Sequence, residues 1–78
     1  MSKQIPLAMI SSGETVTVVS VKAGWGLTRR LADMGLIPGT KLTVINGQMS
    51  GPVILDVRGS RLVLGHGMAQ KILVELQK

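Results

Sequence analysis

The stretch RRLADMGLIPG, Arg29–Gly39, decides how the rest of the chain is read. Leu27, Leu31 and Met34 fall at i, i+4 and i+7, one stripe of a two-turn helix. Gly35 supplies the left-handed conformation that ends a helix, and Leu36 just beyond it can fold back onto Leu31. Pro38 forbids resumption, and Pro38-Gly39 turns the chain into a strand starting at Lys41. Gly26 and Thr28 both qualify as N-cap. The stripe is then a plug: three large apolar side chains dropped onto a core, closing one end of a small β-structure.

The flanks read as strands. ETVTVVSV, Glu14–Val21, is β-branched throughout, and its alternation slips near Val18–Val19, which predicts either two covered faces or a bulge. KLTVIN puts Leu42 and Val44 on one face and Lys41, Thr43 and Ile45 on the other. VILDVR turns Val53, Leu55 and Val57 inward, leaving Ile54, Asp56 and Arg58 outward. RLVLG points Leu62 and Leu64 in and Val63 out. QKILVELQ sends Ile72, Val74 and Leu76 one way and Leu73, Glu75 and Gln77 the other. VRGSRL reads as a hairpin with Gly59-Ser60 as a II′ loop, which sets Arg58 opposite Arg61, Val57 opposite Leu62 and Leu55 opposite Leu64. Glycines recur at short intervals, as turns of an all-β domain do. The expectation is an all-β fold: a small SH3-like barrel of about five strands with one short helical insertion. An OB-type barrel needs longer strands and more residues.

At 78 residues, 1–78 form one domain. Such a domain buries only about 60% of its unfolded surface, so its core has to be efficient. Hydrophobic residues make up 45% but aromatic ones only 1%, so Val, Ile, Leu, Met and Ala must build that core, with Trp25 the sole aromatic. Absence of cysteine removes disulfides, thiol nucleophiles and thiolate metal sites, and fits a cytoplasmic protein. The apolar run near Met1 is too short for a signal-peptide core, and no run approaches the length of a membrane helix. The chain reads as soluble, starting at its own Met1, without membrane insertion. A formal charge of +5 suggests an anionic partner: nucleic acid, an anionic membrane surface or an acidic protein patch.

Catalytic chemistry is hard to assemble from these residues. His66 is the single histidine, and no motif links it to a nucleophilic serine and an orienting carboxylate. Glu14, Asp33, Asp56 and Glu75 share no diagnostic spacing. GHGM, Gly65–Met68, offers His66 and Met68 as ligands, but transition-metal sites take three or four. A turn with an exposed histidine and Met68 tucked into the core explains it better. GSR and GPV lack the P-loop lysine pattern. The chain therefore reads as a binding protein and not an enzyme, with neither a metal site nor a cofactor. Trp25 is either a stacking platform or interface anchor, or a residue packed at the barrel edge. Arg29, Arg30, Arg58 and Arg61 are ordinary solvated charges or anion contacts. The expected Arg58–Arg61 like-charge pair costs stability, which favours the second.

Taken in order, RLADMGLIPG and GPVILDVRGSRLVLGHGMAQKILV resemble the ferrous iron transport protein A (FeoA) family. The resemblance is carried by Arg30-Leu31, Met34-Gly35-Leu36, Pro38-Gly39, Gly51-Pro52-Val53, Leu64-Gly65, Met68-Ala69, and Ile72 with Val74. Leu7 and Gly13 also fit. It implies an SH3-like barrel in the cytoplasm that associates with the cytosolic G domain of a membrane ferrous iron transporter and regulates it in iron homeostasis. A similar domain ends some metal-dependent repressors, but this chain has no DNA-binding region. These motifs are mostly turn glycines and core residues, so they imply the fold more than a partner surface.

The alternative from another class is a nucleic-acid-binding SH3-like barrel of the ribosomal or transcription-factor type, permitted by the charge and by PGTKLTVINGQMSG. The lack of stacking aromatics and the scatter of basic residues stand against it. A direct iron carrier, binding a transition metal ion itself, is the third reading. For a protein partner, whether the transporter or a second copy of the chain, strand parity nominates Ile54 and Val63, diagonal neighbours on the outward face. Arg58 and Arg61 rim them, Ile45 and Leu73 have outward parity as well, and Trp25 is a further anchor.

Overall fold

The computed structural model describes residues 3–47 and 51–76. Gln77 and the Gln48–Ser50 part of the PGTKLTVINGQMSG stretch, both read above, lie outside the described residues. The chain runs β1 (Ile5–Pro6), a 3-10 turn (Leu7–Met9), β2 (Thr15–Val21), α1 (Trp25–Asp33), β3 (Lys41–Asn46), β4 (Val53–Val57), β5 (Ser60–Leu64), α2 (His66–Ala69) and β6 (Ile72–Leu76). All strand pairs are antiparallel, in the order β1-β6-β2-β3-β4-β5. The inward parities hold: Val16, Val18, Leu42, Val44, Val53, Leu55, Val57, Leu64, Ile72 and Val74 form one buried cluster, and Leu62 packs against it. Leu76 departs from its parity and is exposed where β6 ends.

The all-β expectation with its helical insertion holds; among the described residues the strands number six, and a 3-10 turn and the four-residue α2 accompany α1. β1 is two residues long, too short to show a period, and its Pro6 sits where the sheet ends and no ladder donor is needed. The 3-10 turn that follows buries Leu7 and Ala8. The Gly65–Met68 corner is one turn of helix, its Ala69 fully buried and Met68 partly so. Four residues cannot display a helical stripe, so sequence alone reads them as a turn.

The Arg29–Gly39 segment behaves largely as its residues dictate. Gly35 has φ +90°. Its N–H donates to the Ala32 carbonyl at 2.9 Å, and the Leu36 N–H reaches back to Leu31 O at 2.9 Å, the paired closure of a Schellman end. The Pro38-Gly39 turn is closed by the Thr40 N–H donating to Ile37 O at 3.1 Å. Thr40 is buried, and its hydroxyl is satisfied by donating to Gly35 O at 3.0 Å. Two details differ from expectation. The N-cap is Gly24, not Gly26 or Thr28; the Thr28 hydroxyl instead donates to Ala23 O at 3.3 Å. Of the three stripe residues, Leu31 is fully buried and Leu27 partly, but Met34 is 37% exposed. The reversal at Gly35 swings Leu36, which is buried, into the place of a third plug residue. A Cβ at Gly35 would meet nothing closer than Val57 Cγ1 at 3.8 Å, so substitution there strains only the backbone. Gly35→Val is expected to cost about 1–3 kcal/mol; an unchanged melting temperature would show that the left-handed helix end carries no such penalty.

Of the two readings offered for the slip near Val18–Val19, the bulge is the one observed: β2 and β6 lose register between Val18 and Ser20. A second one, between Val44 and Asn46, leaves Ile45 without a partner on β4. The β4–β5 hairpin is corrected. Its loop is Arg58-Gly59, with φ 53° and 83°, both positive as a type I′ turn requires. Val57 faces Ser60, Asp56 faces Arg61, Leu55 faces Leu62 and Val53 faces Leu64. The Asp56 side chain fixes this turn by accepting from the Gly59 N–H at 2.9 Å. Sequence reading placed Gly59 first in the loop as a II′ turn requires, whereas the structure puts Arg58 there at a φ that arginine rarely takes. The slip is two residues, so every side chain keeps its face. The Arg58–Arg61 like-charge pair does not exist; Arg61 sits opposite an acid, and its tolerated cost is no longer an argument for anion binding.

Candidate partner-binding face

The outer face of β3, β4 and β5 brings together most of the residues singled out by parity. Ile54 lies directly opposite Val63, and on its other side opposite Asn46, beside the bulged Ile45. Val63 is 62% exposed and Ile45 37%, with Ile54 between them half-buried. Three β-branched side chains thus cross three strands in one row on the solvent side. The corrected hairpin makes Ile54 and Val63 direct rather than diagonal neighbours.

The next row is polar. Arg61 faces Asp56, Asp56 faces Thr43, and Thr43 faces Thr15, whose hydroxyl is 3.1 Å from that of Thr43. Beside this row lies an open concavity of about 370 Å³, lined by Thr15, Lys41, Leu42, Thr43, Asp56, Arg58 and Gly59. Arg58 projects from the hairpin tip, where positive φ makes it an uncommon choice. The face is therefore an apolar row flanked by a mixed-charge shelf.

Trp25 belongs elsewhere. It begins α1, just beyond the last residue of β2, and is 80% exposed, which removes the packed-edge reading. The row containing Ile54 lies near the first residue of β2, about 20 Å away along that strand. Leu73 is half-buried between Pro6 and Ser20 and also lies outside the row. The bulge that sets Ile45 beside Ile54 left no signal in a strand of clean alternation.

His66 is half-buried, not exposed as expected, because α2 lays its ring along the helix. The Gln70 amide nitrogen lies 3.1 Å from Nε2, and Nδ1 is buried without a hydrogen-bond partner. Among the described residues no three His, Cys, Asp or Glu side chains converge to hold a metal ion. Ferrous iron is expected to bind the isolated protein only weakly. Anaerobic calorimetry showing one tight site, lost in His66→Ala, would overturn this and favour the carrier reading.

The topology and outer face describe a small antiparallel β-domain of SH3-like architecture. Residues 5–76 match the FeoA domain. A candidate Fe(2+) transport protein A of Methanocaldococcus jannaschii is 47% identical over 70 residues, spanning 90% of this chain and 84% of that protein. The chain belongs to the FeoA family. The crystal structure of an iron uptake regulatory protein, FeoA, superposes with a TM-score of 0.90 at 31% identity, covering 96% of this chain and all of that one. A manganese-dependent transcriptional repressor gives a TM-score of 0.87 at 23% identity, covering 99% of this chain and 44% of the repressor. That likeness is one of fold alone. Among the described residues, no helix is long and apolar enough to cross a membrane.

Proposed function

We propose that this protein is a cytoplasmic, non-enzymatic accessory and regulator of ferrous iron transport, acting by contact with the cytosolic G domain of a membrane transporter. Its relatives carry the names of an Fe(2+) transport protein and an iron uptake regulatory protein, which supports the system. The observation that carries the mode of action is the exposed Ile45–Ile54–Val63 row. Apolar side chains gathered on a solvent face are the usual core of a protein contact, and the flanking Arg58, Arg61 and Asp56 suit its polar rim. That the described residues converge on no metal-ligand cluster leaves contact with a partner as the mode of action this reading adopts. The test is a pull-down from detergent-solubilised membranes plus cytosol, scored for a transporter GTPase. Enrichment of that GTPase over a mock resin is expected; recovery equal to the mock would sink the proposal.

A further inference from the structure

The end of the molecule opposite the apolar row gathers positive charge around its one aromatic side chain. The Lys22 N–H donates to the Lys71 carbonyl at 2.6 Å, continuing the β2–β6 ladder one step past Val21 and Ile72. Both lysines are exposed, and they stand as a like-charge pair directly across two strands, an arrangement that costs stability. Trp25 follows Lys22 by three residues, within about 10 Å of chain. Arg29 lies one helical turn further along the same face of α1 as Trp25, while Leu27 and Leu31 turn to the core.

Little opposes this charge. The chain has four acidic residues. Glu14 precedes the far end of β2, Asp56 is on β4, and Glu75 lies four residues along β6 from Lys71. Asp33 alone shares the helix face, one turn beyond Arg29, and offsets that arginine but not Lys22 or Lys71.

We infer that the Lys22–Lys71–Trp25 end, with Arg29, docks peripherally on an anionic lipid surface. Charge complementarity selects an anionic partner, and the tryptophan selects among them. An indole beside lysines is the side chain that settles at the headgroup level of a bilayer. Single-stranded nucleic acid would need further aromatics for successive bases to stack on, and the chain has neither Phe nor Tyr. Lys22 and Lys71 sit where β2 ends and β6 begins and Arg29 midway along α1, whereas the concavity lined by Lys41 and Arg58 is at the other end of β2. Docked this way, the protein would present the Ile45–Ile54–Val63 row away from the membrane. The inference does not rest on the G-domain contact, and vesicles free of protein test it separately.

Trp25, the single tryptophan, is the reporter. The intact protein is titrated with vesicles of phosphatidylglycerol and phosphatidylcholine in a one-to-two ratio, and with phosphatidylcholine alone. Binding to the mixed vesicles at low salt, with Trp25 emission moving to shorter wavelength and the response fading at high salt, is expected. Each lysine at an anionic surface contributes about fivefold in partitioning, so Lys22→Gln with Lys71→Gln weakens it about 25-fold. Circular dichroism establishes that this variant is folded. Ile5 pairs with Val74 midway along β6, and the antiparallel register carries the residues before it toward the Leu76 end, away from Lys71, so Lys3→Gln leaves partitioning unchanged. Absence of vesicle binding, equal binding to neutral vesicles, or equal per-charge loss in Lys3→Gln would each overturn the inference. So would a Trp25 response to a single-stranded oligonucleotide without one to vesicles.

Discussion

Leu31→Ala is expected to lower the unfolding free energy by about 2–5 kcal/mol. Leu31 is the α1 side chain buried completely in the barrel core, and it is also the residue whose carbonyl receives the returning Leu36 N–H. Truncation leaves a cavity at the plug, where the β-sheet and the helix end meet. A domain of this length is stable by only about 4–12 kcal/mol, so the loss is a large fraction of the total. Thermal unfolding should shift down by at least about 10 °C. Met34→Ala is the matched control. It belongs to the same sequence stripe but is 37% exposed, and its truncation should cost well under half as much. Equal losses at the two positions would show that the helix presents the face read from the stripe rather than the one described.

The second large effect concerns association. Ile54→Lys combined with Val63→Lys places two ammonium groups side by side on the exposed row, at directly opposed positions of β4 and β5. Both residues point away from the core, so the fold should survive. Circular dichroism and a melting curve close to that of the parent would show this. If the row is the centre of a protein contact, each lysine removes an apolar anchor and would have to be desolvated. Weakening of about 100-fold or more, read by pull-down of the transporter GTPase and by light scattering for self-association, is the expectation. Unfolding of the double variant would mean that these side chains are core residues. Normal folding with undiminished association would place the contact elsewhere on the molecule.

Arg58 shows how a local reading can fail without harming the larger one. Type II′ and type I′ loops both suit a hairpin, and Gly59-Ser60 satisfies the first on residue type. The chain adopts the second, with an arginine at φ 53° and the Asp56 carboxylate holding the Gly59 N–H. Because the resulting slip is two residues, Val53, Leu55, Val57, Leu62 and Leu64 still share a face, and Ile54 and Val63 still share the other. What changed is the charge logic, since Arg61 gained Asp56 as its neighbour.

By itself the sequence determined the parts whose cause is local or periodic. The helix end at Gly35, the Pro38-Gly39 turn and the two faces of β3, β4 and β5 follow from backbone sterics and a period of two, which neighbouring residues carry in full, whereas the slip in β2 alternation left a bulge and two covered faces both open. The family could be read from the order of those same turns and core residues. Tertiary structure alone decided what depends on partners distant in the chain. β1 exists because β6 offers it a ladder, and Leu36 replaced Met34 in the plug because the core closed around the returning chain. Ile45 joined Ile54 because a bulge shifted one strand against another. Lys22 met Lys71 across a ladder joining segments 49 residues apart in sequence, and that encounter, invisible in either segment, sets a basic pair close to Trp25 at the other end of β2 from the apolar row and its mixed-charge shelf.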